Sequence, residues 1–261
     1  MTTRPDPLRR RSGVLLWLFG WYLRWYFYWR FHAVRISLAG LPAAAPGRPL
    51  IIYANHPSWW DPATFILAGT KLFPGRQGFG PMDSAALGRY RVLERMGVFG
   101  VPQNDRRSGA IFLRHSLAAL ARPNAMLWIT AEGAFTDHRA RPVRLRPGLA
   151  HLVRRVPEAV ILPLAMEYGF WNESRPEALL RFGPPVAPGG CSTVAQWTQR
   201  LEAALTETMD ALAAEAMTRN PSLFRPLLRG GAGVGGIYDM YRRVRALLTR
   251  QRFDPSHEGR R

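Results

Sequence analysis

His56 and Asp61 stand five residues apart in Asn55-His56-Pro57-Ser58-Trp59-Trp60-Asp61, directly after the apolar run Leu50-Ile51-Ile52-Tyr53-Ala54. An imidazole titrates near neutrality, so it can take up a proton and return it at physiological pH. A carboxylate five residues on can fold back onto Nδ1, fixing the tautomer and leaving Nε2 free as a base. The same two residues also read as a turn histidine and a helix N-cap, and Asp61 suits both duties. Three further segments carry side chains of a useful type. Gly100 to Arg107 (GVPQNDRR) sets Arg106 and Arg107 in a polar loop, and a guanidinium fork binds phosphate bidentately. Lys71 is the single lysine among 36 basic residues, so a solvated surface charge is the plain reading of any one arginine. Ile129 to Gly133 (ITAEG) brings Glu132 out of an apolar strand at a glycine turn, which an ordinary strand-end carboxylate would also do. Ile161 to Leu164 (ILPL) holds a proline inside an apolar strand, marking an edge, a bulge or an irregular end.

The remaining nucleophiles and bases are weaker candidates. His115 and His151 fall within helical patterns, His138 lies in a loop near Glu132, and Cys191 has no histidine near it in sequence. No Gly-x-Ser-x-Gly elbow is present, which counts against a serine hydrolase.

The elements that must position these residues alternate. Strands are predicted over residues 32–39, 50–54, 125–130 and 159–166, with strand and turn over 97–102. Helices are predicted from Asp61, with Pro62 at the first helical position, to near Gly69, and over 84–96, 109–120 and 148–155. Ser192 or Thr193 caps a long helix whose stripe is Trp197, Leu201, Leu205, Met209, Leu212 and Ala216. Short apolar strands alternating with helices predict an α/β domain, a layered mixed sheet flanked by helices.

The 261 residues are 47% hydrophobic, which excludes a largely disordered chain. One cysteine excludes an internal disulfide framework and a four-thiolate zinc site. The formal net charge is +18 and is concentrated at the ends. Residues 1–35 carry seven arginines against Asp6, and residues 219–261 carry ten against Asp239, Asp254 and Glu258. Basic ends grip polyanionic surfaces, anionic lipid included. From Val14 to Phe31 the chain reads VLLWLFGWYLRWYFYWRF, broken by Arg24 and Arg30, so no uninterrupted apolar run is long enough to span a bilayer. Trp and Tyr favour the water–lipid boundary, so this segment is predicted to be a helix in the membrane interface, with packing on the protein's own core as the alternative. The expected organisation is an aromatic, basic interface segment over 1–35, a catalytic domain over 36–218, and a glycine-rich linker with a basic amphipathic helix over 219–261. The run Arg229 to Gly236 (RGGAGVGG) lacks the spacing of a phosphate-binding loop and reads as the linker.

Taken in order, the four blocks resemble the glycerolipid (lysophospholipid) acyltransferase family: His-x4-Asp at His56/Asp61, a glycine-rich stretch ending in Asp-Arg at Gly100 to Arg106, Glu-Gly at Glu132-Gly133, and an apolar strand with proline at Ile161 to Leu164. The resemblance covers roughly residues 34–185. It implies that His56 deprotonates an acceptor hydroxyl, which attacks the thioester of acyl-CoA or acyl-carrier protein. Asp61 then orients His56, Arg106 holds an acceptor phosphate, and Glu132 and Gly133 shape that pocket. It implies no cofactor and no metal, a membrane-lipid acceptor related to a lysophospholipid, and a peripheral or monotopic place on the cytoplasmic face of the cell membrane. Two departures stand out. The family's third block continues Glu-Gly-Thr-Arg, whereas Ala134 and Phe135 follow here, leaving Arg139 or Arg141 as candidates to replace the charge. Pro102, Gln103 and Asn104 take the place of apolar residues before Asp105-Arg106. The alternatives are a non-catalytic lipid-binding scaffold and a nucleic-acid-binding protein. Nucleic acid is not the expected partner, since it explains the charge but neither the aromatic segment nor the four blocks.

Overall fold

Within the computed structural model, residues 11–42, 46–103, 105–231, 245 and 248 are described. The chain opens with helix α1 (Gly13–Arg30), capped by the Ser12 side chain, which accepts from the Leu15 amide. Strand β1 (Ala33–Ser37) and strand β2 (Leu50–Ala54) follow, then α2 (Asp61–Leu72), β3 (Gln77–Asp83) and α3 (Ser84–Arg89). Next come β4 (Val98–Val101), α4 (Ser108–Leu120), β5 (Ala125–Thr130), α5 (Gly148–Val153), β6 (Val160–Gly169) and β7 (Glu177–Phe182). Helix α6 (Val194–Met217) and strand β8 (Phe224–Arg229) complete the described chain.

The strands form one mixed eight-stranded sheet in the order β4-β3-β5-β2-β6-β7-β1-β8. The first five in that order are mutually parallel, so their carboxyl ends share one edge. Strand β7 runs antiparallel to β6, and β8 antiparallel to β1. Because side chains alternate across a strand, β2 feeds two cores. Ile51 and Tyr53 face one core, which α6 closes with Trp197, Leu201 and Leu205; Leu50, Ile52 and Ala54 face the other, shared with Leu23 and Phe27 of α1 and Phe65 of α2. The Tyr53 hydroxyl, buried in the first core, donates to the Leu201 carbonyl at 3.0 Å, and burial pushes its ionisation far up.

Several expectations change. Helix α2 passes Gly69 because that glycine does not stop it; a Cβ there would press on Met126 and Trp128, so its role is close packing on the sheet. Residues 84–96 divide into α3 and a 3-10 segment, Arg91–Met96. Of the two expected caps, Thr193 is the one that caps α6, with Gln196 closing a capping box. Pro163 lies in an interior strand rather than at an edge or irregular end. Its carbonyl accepts from Gly183, just beyond the end of β7, so the missing N–H falls on the same side, where the partner strand has ended. Strand β8 continues the sheet beyond residue 218. The expected helix over 237–252 and most of the glycine-rich run lie outside the described residues. Among the described residues no helix is long and apolar enough to cross a membrane.

Candidate active site

The site forms where β2 ends. Asn55, fully buried, clamps the exit of the strand: its amide donates to the Met166 carbonyl at 2.9 Å and accepts from the Met166 amide at 2.8 Å. This extends the β2–β6 register, which pairs Ala54 with Leu164, and fixes where the next residue points. That residue is His56. Its backbone amide donates to Glu132 at 2.7 Å, and its carbonyl accepts from the Thr136 amide at 3.0 Å. The histidine backbone is therefore held from the loop after β5 as well as from its own strand.

The imidazole Nδ1 lies 2.6 Å from Oδ2 of Asp61, whose side chain is fully buried. An ionised carboxylate only accepts, so Nδ1 carries the proton and Nε2 keeps its lone pair. Asp61 Oδ2 also accepts from the Ser58 amide at 3.2 Å, and Oδ1 accepts from the Tyr168 hydroxyl at 2.8 Å. Three donors thus compensate the buried charge. Asp61 is the first residue of α2, and Trp60 occupies the N-cap position without a side-chain cap bond. The cap duty expected of Asp61 is accordingly absent, and its carboxylate is given over to His56, Ser58 and Tyr168.

Glu132 stands two residues past β5 and is half-buried. Burial raises its ionisation above the ordinary 4.5, against the opposing pull of the His56 amide and imidazole, Thr136 and Arg141. Gly133 takes φ of +72°, which favours glycine, and a Cβ there would also displace the Arg146 side chain that lies across it. Phe135 lays its ring over His56, with centroids 4.3 Å apart and planes at 36°, while remaining largely exposed. It covers one face of the imidazole at the mouth of the site.

Neither arginine expected to restore charge after Glu132-Gly133 stands free. Arg139 grips Asp137 through two hydrogen bonds of 2.9 and 2.8 Å, which hold the Asp137 carboxyl well below its usual range. Arg141 pairs with Asp210 of α6, although its charge still reaches Glu132. His138 Nε2 lies 3.7 Å from Glu167, whose ionisation burial raises. Arg106 sits exposed in the turn before α4, where Asp105 accepts from the Arg107 amide, and it has no carboxylate partner among the described residues. It lies in the loop after β4, a strand three places from β2 in the sheet, so the two strands are about 14 Å apart at ~4.8 Å per strand. The structure thus joins His56, Asp61, Glu132 and Gly133 in one cluster, while Arg106 shares the sheet edge without bonding to it.

Sequence reasoning missed Tyr168, Thr64, Asn55 and Glu167. The two residues on β6 had only strand alternation as a signal, and their partners lie in distant segments. Cys191 is partly buried against the core, and the His115 ring packs edge-on against Phe99. Among the described residues no group of three or more His, Cys, Asp or Glu side chains is placed to hold a metal ion. In comparisons with known proteins, no family model matches the chain and no curated protein is significantly similar to it.

Proposed function

We propose that the chain is an O-acyltransferase that works at a membrane surface. The observation that carries this reading is a strand-end imidazole whose Nδ1 is fixed by a buried carboxylate and whose Nε2 is left as a base. His56 Nε2 takes the proton of an acceptor hydroxyl as its oxygen attacks the carbonyl carbon of an acyl thioester. The tetrahedral intermediate collapses, the carbon–sulfur bond breaks, and the imidazolium returns its proton to the leaving thiolate. One ester forms and one thioester is consumed, without an acyl-enzyme. Asp61 keeps the tautomer and stabilises the transient imidazolium. Glu132 holds the His56 backbone rather than the proton, through the bond to its amide. The order of the four sequence blocks supports the same reading.

The acceptor is a lipid hydroxyl. Arg106 and Arg146 have no carboxylate partner among the described residues, so they are two guanidiniums available to a phosphate at this edge, Arg146 lying across Gly133. The outer face of α1 supports membrane docking. Trp17, Trp21 and Trp25 are 71%, 66% and 54% exposed, with Val14, Leu18 and Tyr28 beside them. Such a contiguous apolar ridge on a strongly basic chain suits the anionic bilayer interface. Trp59, 65% exposed, extends the aromatic surface to the loop that carries His56 and Asp61.

The test is His56→Ala, assayed by thiol release from a long-chain acyl-CoA with vesicles containing lysophosphatidate. Turnover should fall by about 10²–10⁴-fold, the usual contribution of a general base, while melting and vesicle flotation stay as in wild type. Near-wild-type turnover in the purified variant refutes the mechanism.

A further inference from the structure

We infer that Tyr168, held in place by Thr64, is a positioning residue that governs how strongly Asp61 draws on the His56 imidazole. This rests on the general-base reading above but concerns residues outside the four sequence blocks.

The geometry fixes the direction of every proton in the chain. Asp61 Oδ1 is 2.8 Å from the Tyr168 hydroxyl, and a carboxylate donates nothing, so the phenolic hydrogen points at Asp61. Thr64 Oγ1 is 3.0 Å from that same phenolic oxygen, so the threonine hydroxyl is the donor to it. Thr64 and Asp61 sit one turn apart on α2 and share the face turned to β6. The result is a relay of hydrogen bonds in one sense, from Thr64 to Tyr168 to Asp61, meeting the His56 N–H at the carboxylate. Aligned bonds of this kind polarise one another. The tyrosine is partly buried, and loss of water around its hydroxyl together with the Asp61 charge keeps it protonated well above its ordinary range, so it remains a donor throughout the working pH range.

The Tyr168 hydroxyl and the Ser58 amide share the Asp61 charge with the imidazole, and the sign of the effect follows. While the phenol stabilises the carboxylate, less of that charge is directed at the imidazole. Without the phenol, Asp61 favours the imidazolium more strongly, and His56 titrates at higher pH. Of the other charged or titratable groups, Glu132 bonds the His56 amide and feels Arg141, while Asp137, His138 and Arg139 follow in the same loop after β5 and Glu167 of β6 lies against His138. Tyr168→Phe alters none of them.

The experiment is an NMR titration of ¹⁵N-histidine-labelled full-length protein, with His56 assigned by its loss in His56→Ala. In Tyr168→Phe the His56 titration should move up by about half to one pH unit, a three- to tenfold change in proton affinity. Thr64→Val, which keeps the phenol but removes its support, should move it in the same direction by less. The acid limb of kcat/KM for thiol release should follow the NMR shift, with KM for the thioester unchanged. A folded Tyr168→Phe protein whose His56 titration does not move overturns the inference, whatever its melting temperature. If Tyr168→Phe fails to fold, an unmoved titration in Thr64→Val overturns it instead. A shift in the titration without acyl transfer in wild type leaves the coupling intact and sinks the acyltransferase reading alone.

Discussion

Replacing Asp61 by asparagine removes a charge while keeping nearly all of the local geometry. The amide oxygen can take the place of Oδ2 and accept from His56 Nδ1 and the Ser58 amide, now 2.6 and 3.2 Å from it. The amide nitrogen then faces the Tyr168 oxygen, which accepts and turns its own hydrogen to Thr64, 3.0 Å away. The second amide hydrogen and the displaced Thr64 hydroxyl hydrogen must then find new acceptors, so stability should fall by roughly 1–3 kcal/mol. What disappears is the negative charge facing the imidazolium formed during transfer. With the charge centres ~4 Å apart and an effective dielectric of ~20, that attraction is about 4 kcal/mol. At ~1.36 kcal/mol per decade, turnover should drop by about a thousandfold. Asp61→Ala behaves differently, because it strands three donors at roughly 1–3 kcal/mol each, so it should lose both activity and several kcal/mol of stability. The assay is thiol release beside thermal and urea melts of both variants. An asparagine variant within tenfold of wild type, or one that loses activity only because it unfolds, refutes the charge argument.

Two other expectations are checkable. Glu132 and Glu167 are raised above 4.5 by burial, so the fold binds their protons more tightly than the unfolded chain does. Their stabilising contribution is complete below pH 4.5 and is lost as pH rises through the folded values. Glu132→Gln and Glu167→Gln should therefore gain melting temperature relative to wild type at pH 7 but not at pH 4; no pH dependence in the difference counts against the assignment. On α1, replacing Trp17, Trp21 and Trp25 together by alanine should reduce flotation with neutral and anionic vesicles while leaving the melt unchanged. Phe27→Ala on the inner face should instead cost about 3–5 kcal/mol of stability, as read from urea melts.

The parts of the fold that were legible in the sequence are those with one strong period. Strands β2 and β5 were read over their observed spans, and α4 and α6 to within a residue or two, because apolar runs and helical stripes are local signals. Strand β3 was hidden by Gly78, Gly80 and Pro81, and β8 by Pro226. The site divides in the same way. His56, Asp61 and Glu132 could be picked out by type and spacing, yet Tyr168 lies 107 residues from the carboxylate it serves. The partnership of Arg141 with Asp210 spans 69 residues, so the sequence offered it as a free charge. Helix α1 carries aromatic residues around most of its circumference, and its pattern alone could not separate an inner face from an outer one. The structure does so, burying Leu23 and Phe27 while leaving the tryptophan ridge outside.

The inner face of α1 also reaches the loop that carries His56 and Asp61. Trp60, the residue before Asp61, is enclosed by the rings of Tyr26, Phe27 and Phe31, with centroids 5.4, 5.4 and 4.8 Å from its own. The Phe31 ring in turn lies 6.1 Å from Tyr168, the second support of Asp61. One helix therefore presents aromatic surface outward and braces the carboxylate inward. Removing it would expose Trp60 and loosen both the start of α2 and the Tyr168 end of β6, so a truncated chain would lose activity even on a water-soluble acceptor. Membrane affinity and catalysis are separable only by changing the outer side chains one face at a time. In this fold the exposed tryptophan ridge and the carboxylate that holds the His56 imidazole belong to the same packed unit.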